Sequence, residues 1–188
     1  AANASAELST GGEIASGAGS IAQSGSTLNV AQQSQNLVID WQQFDIGQDN
    51  VVNFAQPNAS AMALNRVVSG DPSEILGQLN ANGQVWLINP NGVLFGNHAQ
   101  VNVGGLVAST LNLSDGDLLG GRYTFSGANG ARIVNHGALN AHDGGYIALL
   151  GGQVWNQGVI RARLGTVALA AGERITLDGM SPEMKGSD

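Results

Sequence analysis

Cysteine is absent from this 188-residue chain, which removes disulfide staples, thiol nucleophiles and cysteine-based metal sites together. The absence also suits a chain exported unfolded, for which premature crosslinks would be an obstacle. Charge is scarce: Asp, Glu, Lys and Arg make up 11% of the sequence, against about a quarter in an ordinary soluble domain. Lys185 is the single lysine, the arginines are scattered, and the formal net charge is −7. No basic patch is available to neutralise phosphates, so nucleic acid and anionic lipid are not expected as partners. Aromatics reach only 5%. No apolar run approaches the roughly 18 residues of a membrane-spanning helix, so membrane insertion is not expected. The start at Ala1-Ala2-Asn3 has no basic and apolar leader and reads as a mature N-terminus.

What remains is small, apolar and amide-rich. Hydrophobic residues are 43%, mostly Ala, Val, Leu and Ile, and polarity is carried by Asn, Gln, Ser and 28 glycines. This palette fits an extracellular β protein whose uncharged amides and hydroxyls bond to backbone at corners. The length suits one sizeable domain, read as residues 1–180. Ser181 to Asp188, with Pro182 and Lys185 and no periodicity, reads as a linker or tail.

Between Asn80 and Ala108, short apolar runs are fenced by turn residues: Asn82-Gly83, then Val85-Trp86-Leu87-Ile88, then Asn89-Pro90-Asn91-Gly92, then Val93-Leu94-Phe95-Gly96. Asn and Gly tolerate the positive φ of tight corners, and Pro90 ends the strand before it, so strands joined by corners are predicted. Leu37, Ile39 and Trp41 alternate with Val38 and Asp40, the period of a half-buried strand. Trp41 and Phe44, with Trp86 and Phe95, are assigned to the core. The Gly/Ser-rich strands before Val30, with apolar residues arriving singly, are expected at a capped end of the domain. Asp71-Pro72-Ser73-Glu74 carries a helix-start pattern, and one or two helical turns are expected over Ile75, Leu76 and Leu79.

A repeat sets the architecture. Asn135-His136-Gly137-Ala138-Leu139-Asn140-Ala141 recurs 21 positions later as Asn156-Gln157-Gly158-Val159-Ile160-Arg161-Ala162. Gly145-Tyr146-Ile147-Ala148-Leu149 recurs after 20 as Gly165-Thr166-Val167-Ala168-Leu169. A period near 20 predicts an all-β solenoid, a parallel β-helix of roughly nine coils, with stacked asparagines bonding between coils at the corners. Leu106 to Leu113 and Tyr123-Thr124-Phe125 interrupt the repeat and are expected to form an extra-helical hairpin or sheet.

Taken together, Gln84 to Gly96, Val101 to Ser109, Ile39-Asp40-Trp41-Gln42-Gln43-Phe44-Asp45-Ile46-Gly47, Leu64-Asn65-Arg66-Val67 and Gly151 to Gly158 resemble the secretion domain of two-partner secretion exoproteins. These are the filamentous-haemagglutinin-like and high-molecular-weight-adhesin-like proteins of Gram-negative bacteria, and the resemblance covers about Leu8 to Gly179. It implies a right-handed parallel β-helix with an N-terminal cap and extra-helical elements. It also implies a secretion signal, engaged in the periplasm by the POTRA domains of an outer-membrane β-barrel transporter, with export to the cell surface or medium. Asn89-Pro90-Asn91-Gly92-Val93 matches the family's second Asn-Pro-Asn motif. Gln56-Pro57-Asn58-Ala59 stands where filamentous-haemagglutinin members carry the first, Asn-Pro-Asn-Leu. It departs at both ends, which suggests the adhesin-like branch.

Candidates for chemistry are thin. His136, His142 and Asp143 lack a metal-ligand spacing, Asp115-Gly116-Asp117 lacks the further oxygens of a calcium loop and reads as a polar turn, and the carboxylates form no pair. Neither metal, cofactor nor catalytic residue is expected. The reading is a monomeric, non-enzymatic secretion domain that nucleates β-helix folding for the downstream repeats of its exoprotein. An adhesive β-helix module is the alternative, and a polysaccharide-degrading β-helix a remoter one.

Overall fold

Period-two alternation decides where strands form, and at the N-terminus it is weak. The computed structural model describes residues 8–128 and 130–177. Its first strands are β1 (Leu8–Thr10), β2 (Glu13–Ser16) and β3 (Gly19–Ser24). The chain then winds through repeating triplets. These are β4 (Thr27–Gln32), β5 (Asn36–Trp41) and β6 (Gln43–Ile46); β7 (Val51–Ala55), β8 (Met62–Val67) and β9 (Ser73–Ile75); β10 (Gln78–Ala81), β11 (Gln84–Ile88) and β12 (Val93–Phe95). The long strand β13 (Gln100–Ser109) precedes an excursion holding α1 (Asp115–Leu119) and β14 (Thr124–Ser126). After it come β15 (Arg132–Asn135), β16 (Ala138–Gly151), β17 (Gln153–Asn156), β18 (Val159–Ala162), β19 (Thr166–Ala171) and β20 (Arg174–Thr176).

The strands stack as a β-solenoid of about 7 turns with coils of about 22 residues. One side is a six-stranded sheet in the order β1-β6-β9-β12-β15-β17. A twelve-stranded sheet forms the rest, and β13 and β16 run through both its halves, pairing with β10 and β18 by their first residues and with β11 and β19 by their last. Coil-to-coil pairing is parallel and in register. The sequence repeat is realised directly, with Asn135 beside Asn156, Leu139 beside Ile160, and Leu149 beside Leu169.

Antiparallel pairing is confined to the cap and the excursion. β1 lies against β6, β2 against β5, and β3 against β4, so the leading edge of the stack is closed by strands running the other way. Such a cap blocks the edge-to-edge addition that an open parallel edge invites.

Burial follows the pleat. Leu37, Ile39, Ala63, Val85, Leu87, Leu106, Ala108, Ile147 and Leu149 point inward and form the main core with Trp41, Phe44 and Phe95. Asn65 shares an inward row with Ile39 and Leu87, fully buried. Its Oδ1 accepts from Trp41 Nε1 at 2.9 Å and its Nδ2 donates to the Trp86 carbonyl at 3.2 Å, so the interior amide is satisfied.

A second core lies outside the coils. Val38, Leu64, Trp86, Val107, Ala148 and Leu150 face outward, and Leu111, Leu113, Leu118 and Phe125 from the excursion roof them. Trp86 donates from Nε1 to the Tyr146 hydroxyl at 2.6 Å, which donates in turn to Gln84 Oε1. Burial pushes the Tyr146 phenol far above its usual range, so the hydroxyl stays a donor. Arg66 ties the roof down, with ion pairs to Asp40 (3.7 Å) and Asp115 (2.8 Å) and a hydrogen bond to the Leu113 carbonyl. β20 leaves the solenoid and pairs antiparallel with β14.

Four expectations are corrected. The helix read at Asp71 to Leu79 is the strands β9 and β10: Ser73 and Ile75 sit inward and Glu74 outward against β12, a tertiary pairing that overrides the local capping pattern. Leu106 to Ser109 belongs to a coil strand, and the excursion begins only after it. Asp115-Gly116-Asp117 opens a short helix capped by Ser114, whose Oγ accepts from the Asp117 amide at 3.0 Å. Roughly nine coils become about 7, because the cap and the excursion use chain without adding turns.

Candidate functional site

The Asn89-Pro90-Asn91-Gly92 corner turns the chain from β11 into β12. Asn89 is fully buried. Its Nδ2 donates to the Asp71 carbonyl at 2.9 Å and to Ser73 Oγ at 3.0 Å, while its Oδ1 accepts from the Asn91 amide at 2.9 Å. The Gly92 amide closes the turn on the Asn89 carbonyl at 3.1 Å. Gly92 has φ +121°, a conformation closed to most side chains, and its carbonyl accepts from the Ser73 amide at 3.0 Å. Val93 is buried inside. The corner thus clamps residues of the preceding coil from within, while Pro90 and Asn91 stand exposed. Away from its own turn, Asn91 donates from Nδ2 to the Ser69 carbonyl at 3.0 Å.

Gln56-Pro57-Asn58 repeats this division at a different corner, between β7 and β8, so the structure does not bring the two motifs together. Gln56 is buried and saturated. Its Oε1 accepts from the Gly83 amide at 2.8 Å, and its Nε2 donates to Gln32 Oε1 and to the Gln84 carbonyl, both at 3.0 Å. An asparagine is one methylene shorter, so Gln56 is matched to the depth of its own corner. Gly83 permits the approach, since a Cβ there would stand 2.8 Å from the Ala61 carbonyl and from Gln56 Oε1. Pro57, Asn58 and Ala59 are exposed, and Asn58 exchanges amide hydrogen bonds with Gln35 at 2.8 and 3.3 Å.

Reasoning from sequence missed the outer asparagine ladder. Asn29, Asn53, Asn80, Asn102 and Asn140 occupy one outward row in mid-strand, not at corners. From Asn53 onward each Nδ2 donates to the preceding Oδ1, at 3.2, 3.0, 3.5 and 3.2 Å. The sequence steps are 24, 27, 22 and 38 residues, so the excursion falls within the last one, and this variation hid the row. At a corner, Asn135 donates to Asn156 at 2.9 Å.

Chemistry-bearing clusters are sparse. Among the described residues no group of three or more His, Asp or Glu side chains is placed to hold a metal ion. Asp143 pairs with Arg163 at 3.4 Å, both exposed. Burial raises the Asp45 carboxyl above its usual pKa. The Glu74 amide hydrogen bond works against this, and the nearby Glu74 and Asp71 charges add to it.

The two ends of the stack differ. On β19, Val167 and Leu169 are each 46% exposed, whereas their neighbours one coil earlier, Ile147 and Leu149, are fully buried. Among the described residues, no strand covers the outer edges of β17, β18 and β19.

Comparison with known proteins agrees with this architecture. The family profile for the TPS secretion domain matches residues 4–186. A heme/hemopexin-binding protein of Haemophilus influenzae Rd is 37% identical over 180 residues, covering 90% of this chain and 20% of the relative. Another from Haemophilus influenzae is 50% identical over 86 residues, 46% of this chain and 9% of the relative. The chain therefore spans about a fifth or less of these relatives. The HMW1 secretion domain from Haemophilus influenzae superposes with a TM-score of 0.88 at 35% identity, covering 92% of this chain and 47% of that one. The filamentous hemagglutinin secretion domain shares the fold, with a TM-score of 0.67 at 18% identity, covering 89% of this chain and 65% of that one. Exoproteins with such domains are secreted, and the domains are not enzymes. The chain belongs to the TPS secretion domain family, the β-solenoid secretion domains of two-partner secretion exoproteins.

Proposed function

We propose that this domain is the part of a large exoprotein that the periplasmic POTRA domains of its outer-membrane transporter recognise, and that it folds first at the cell surface and templates the coils that follow. The observation that carries the second half is the difference between the ends: antiparallel strands close the leading edge, while Val167 and Leu169 leave the core uncovered at the trailing one. A following coil that covered them would gain apolar burial at about 25 cal/mol per Å² without the cost of building a first layer. Membership of the family supports the first half, since a TPS domain implies a transporter partner.

The test has two arms. Titration of the chain into its purified transporter should give saturable binding, and its absence would remove the recognition role. Extending the chain by the next coil of its exoprotein should raise Tm and quench hydrogen exchange along β18 and β19. An unchanged exchange pattern would remove the templating role. For the whole exoprotein, similarity to two heme/hemopexin-binding proteins supports a second reading, in which a part outside this domain binds heme or hemopexin. Titration of the full-length exoprotein with each is the test.

A further inference from the structure

Two outward rows of the solenoid are treated differently. The row through Leu64, Trp86 and Val107 is roofed by the excursion. On the six-stranded sheet the register of β9, β12, β15 and β17 lines up Glu74, Leu94, Val134 and Trp155. Nothing among the described residues roofs this second row, and Trp155 is 47% exposed. Arg132 lies over the Trp155 ring, 5.0 Å from its centroid, which fixes a cation at the edge of the row.

Beside the Asn89-Pro90-Asn91-Gly92 corner this face is dented. Gly92 carries no side chain between Pro72 and Arg132, where a Cβ would stand 3.8 Å from Pro72 Cβ and 3.3 Å from the Arg132 carbonyl. The dent is a groove of about 270 Å³ whose walls include Glu74, Leu94, Val134 and Arg132, with Asn91 at the rim. Small-molecule pockets run from about 300 to 1,000 Å³ and are more enclosed, so this one suits one or two side chains of a protein partner. Its lining is charged with opposite signs. Neither Glu74 nor Arg132 takes part in an ion pair among the described residues, and Asp45 and Asp71 add negative charge beside Glu74.

We propose that this groove is the seat of the transporter, and that its occupant is a segment of the transporter's periplasmic domains. That segment presents a basic side chain to Glu74, an aliphatic or aromatic one between Leu94 and Val134, and a carboxylate to Arg132. The inference rests on the recognition role proposed above and adds where and with what chemistry recognition occurs. Complementary charges at the two ends set the direction in which the segment lies, and the apolar middle supplies the desolvated contact. It also gives the corner a task beyond folding. Asn89 and Gly92 shape the groove from below, and Asn91 is the exposed amide at its rim.

The experiment compares Glu74→Lys, Arg132→Glu and, at an exposed position outside the groove lining, Asp49→Lys in this chain, each titrated into the detergent-solubilised full-length transporter. Secretion of the full-length exoprotein carrying the same changes is followed in parallel. The two groove variants should weaken binding at least tenfold and lower secretion with Tm held, while Asp49→Lys behaves as the parent. If Arg132→Glu fails to fold, Glu74→Gln at its exposed outward position carries the comparison, with a smaller loss that high salt erases. Parent-like binding by both groove variants would overturn the groove while leaving the recognition role standing. No binding by the parent chain would overturn both.

Discussion

Asn89 and Asn91 stand two positions apart and hold different things. Asn89→Ala would strand the buried Ser73 hydroxyl and the Asp71 carbonyl, so a loss of about 2–3 kcal/mol is expected in a denaturant titration. Asn91→Ala removes an exposed bond to Ser69 and a second one to Asn89 Oδ1, which keeps the Asn91 amide as a donor, and should cost about 1 kcal/mol. A secretion defect in the second variant at parental stability would separate recognition from folding. The turn itself was legible from Asn, Pro and Gly in one stretch. The burial of Asn89 was not, because its partners come from 16 and 18 residues earlier, one coil below. Asp45 offers a pH test. Its pKa is raised in the fold, so the folded state holds that proton more tightly than the unfolded one. Stability from this group therefore falls as pH rises from the ordinary carboxylate range through the raised value. Asp45→Asn, which can still accept from the Glu74 amide, should raise Tm at pH 7, and the gain should vanish below about pH 4.

Elements were legible where their signal was local and period-two, and illegible where a partner strand decided. Leu37-Val38-Ile39-Asp40-Trp41 reads as a strand in any context. Asp71-Pro72-Ser73-Glu74 reads as a helix start until β12 offers a ladder to pair with. Asp115-Gly116-Asp117 reads as a polar turn because the helix there is only five residues long, too short for an apolar period, and the Ser114 cap holds it. The excursion matters energetically through its aromatic core. Phe125 is fully buried and its ring centroid lies 5.8 Å from that of Trp86, so Phe125→Ala should cost about 3–5 kcal/mol by calorimetry. Because the roof rests on the coils while the coils have their own core, the variant should lose protection first in α1, β14 and β20 by hydrogen exchange. The asparagine ladder is a smaller contributor. Asn80→Ala removes two solvent-facing bonds and should cost about 1 kcal/mol in a denaturant titration.

At the scale of the molecule, the solenoid was legible from one repeat, because in-register stacking obliges neighbouring coils to carry similar residues at similar heights. The match of residues 135–141 to 156–162 is the same fact as the pairing of β15 with β17 and of β16 with β18. The number of turns was not legible, since earlier coils vary in length at their corners and the excursion interrupts one of them. The cap was legible only as weak, Gly-rich strands. Its reversal of direction is a tertiary property. Deleting residues 1–24 should uncover the outer edge of β4 and shift the chain from monomer to higher oligomers by light scattering. That closed end gives the stack a polarity that no single coil has. A stack whose leading edge is closed by antiparallel strands cannot lengthen by copies joining head to tail. Under the templating role proposed above, the length of the stack is set by the coils that the exoprotein supplies, and protein concentration does not enter.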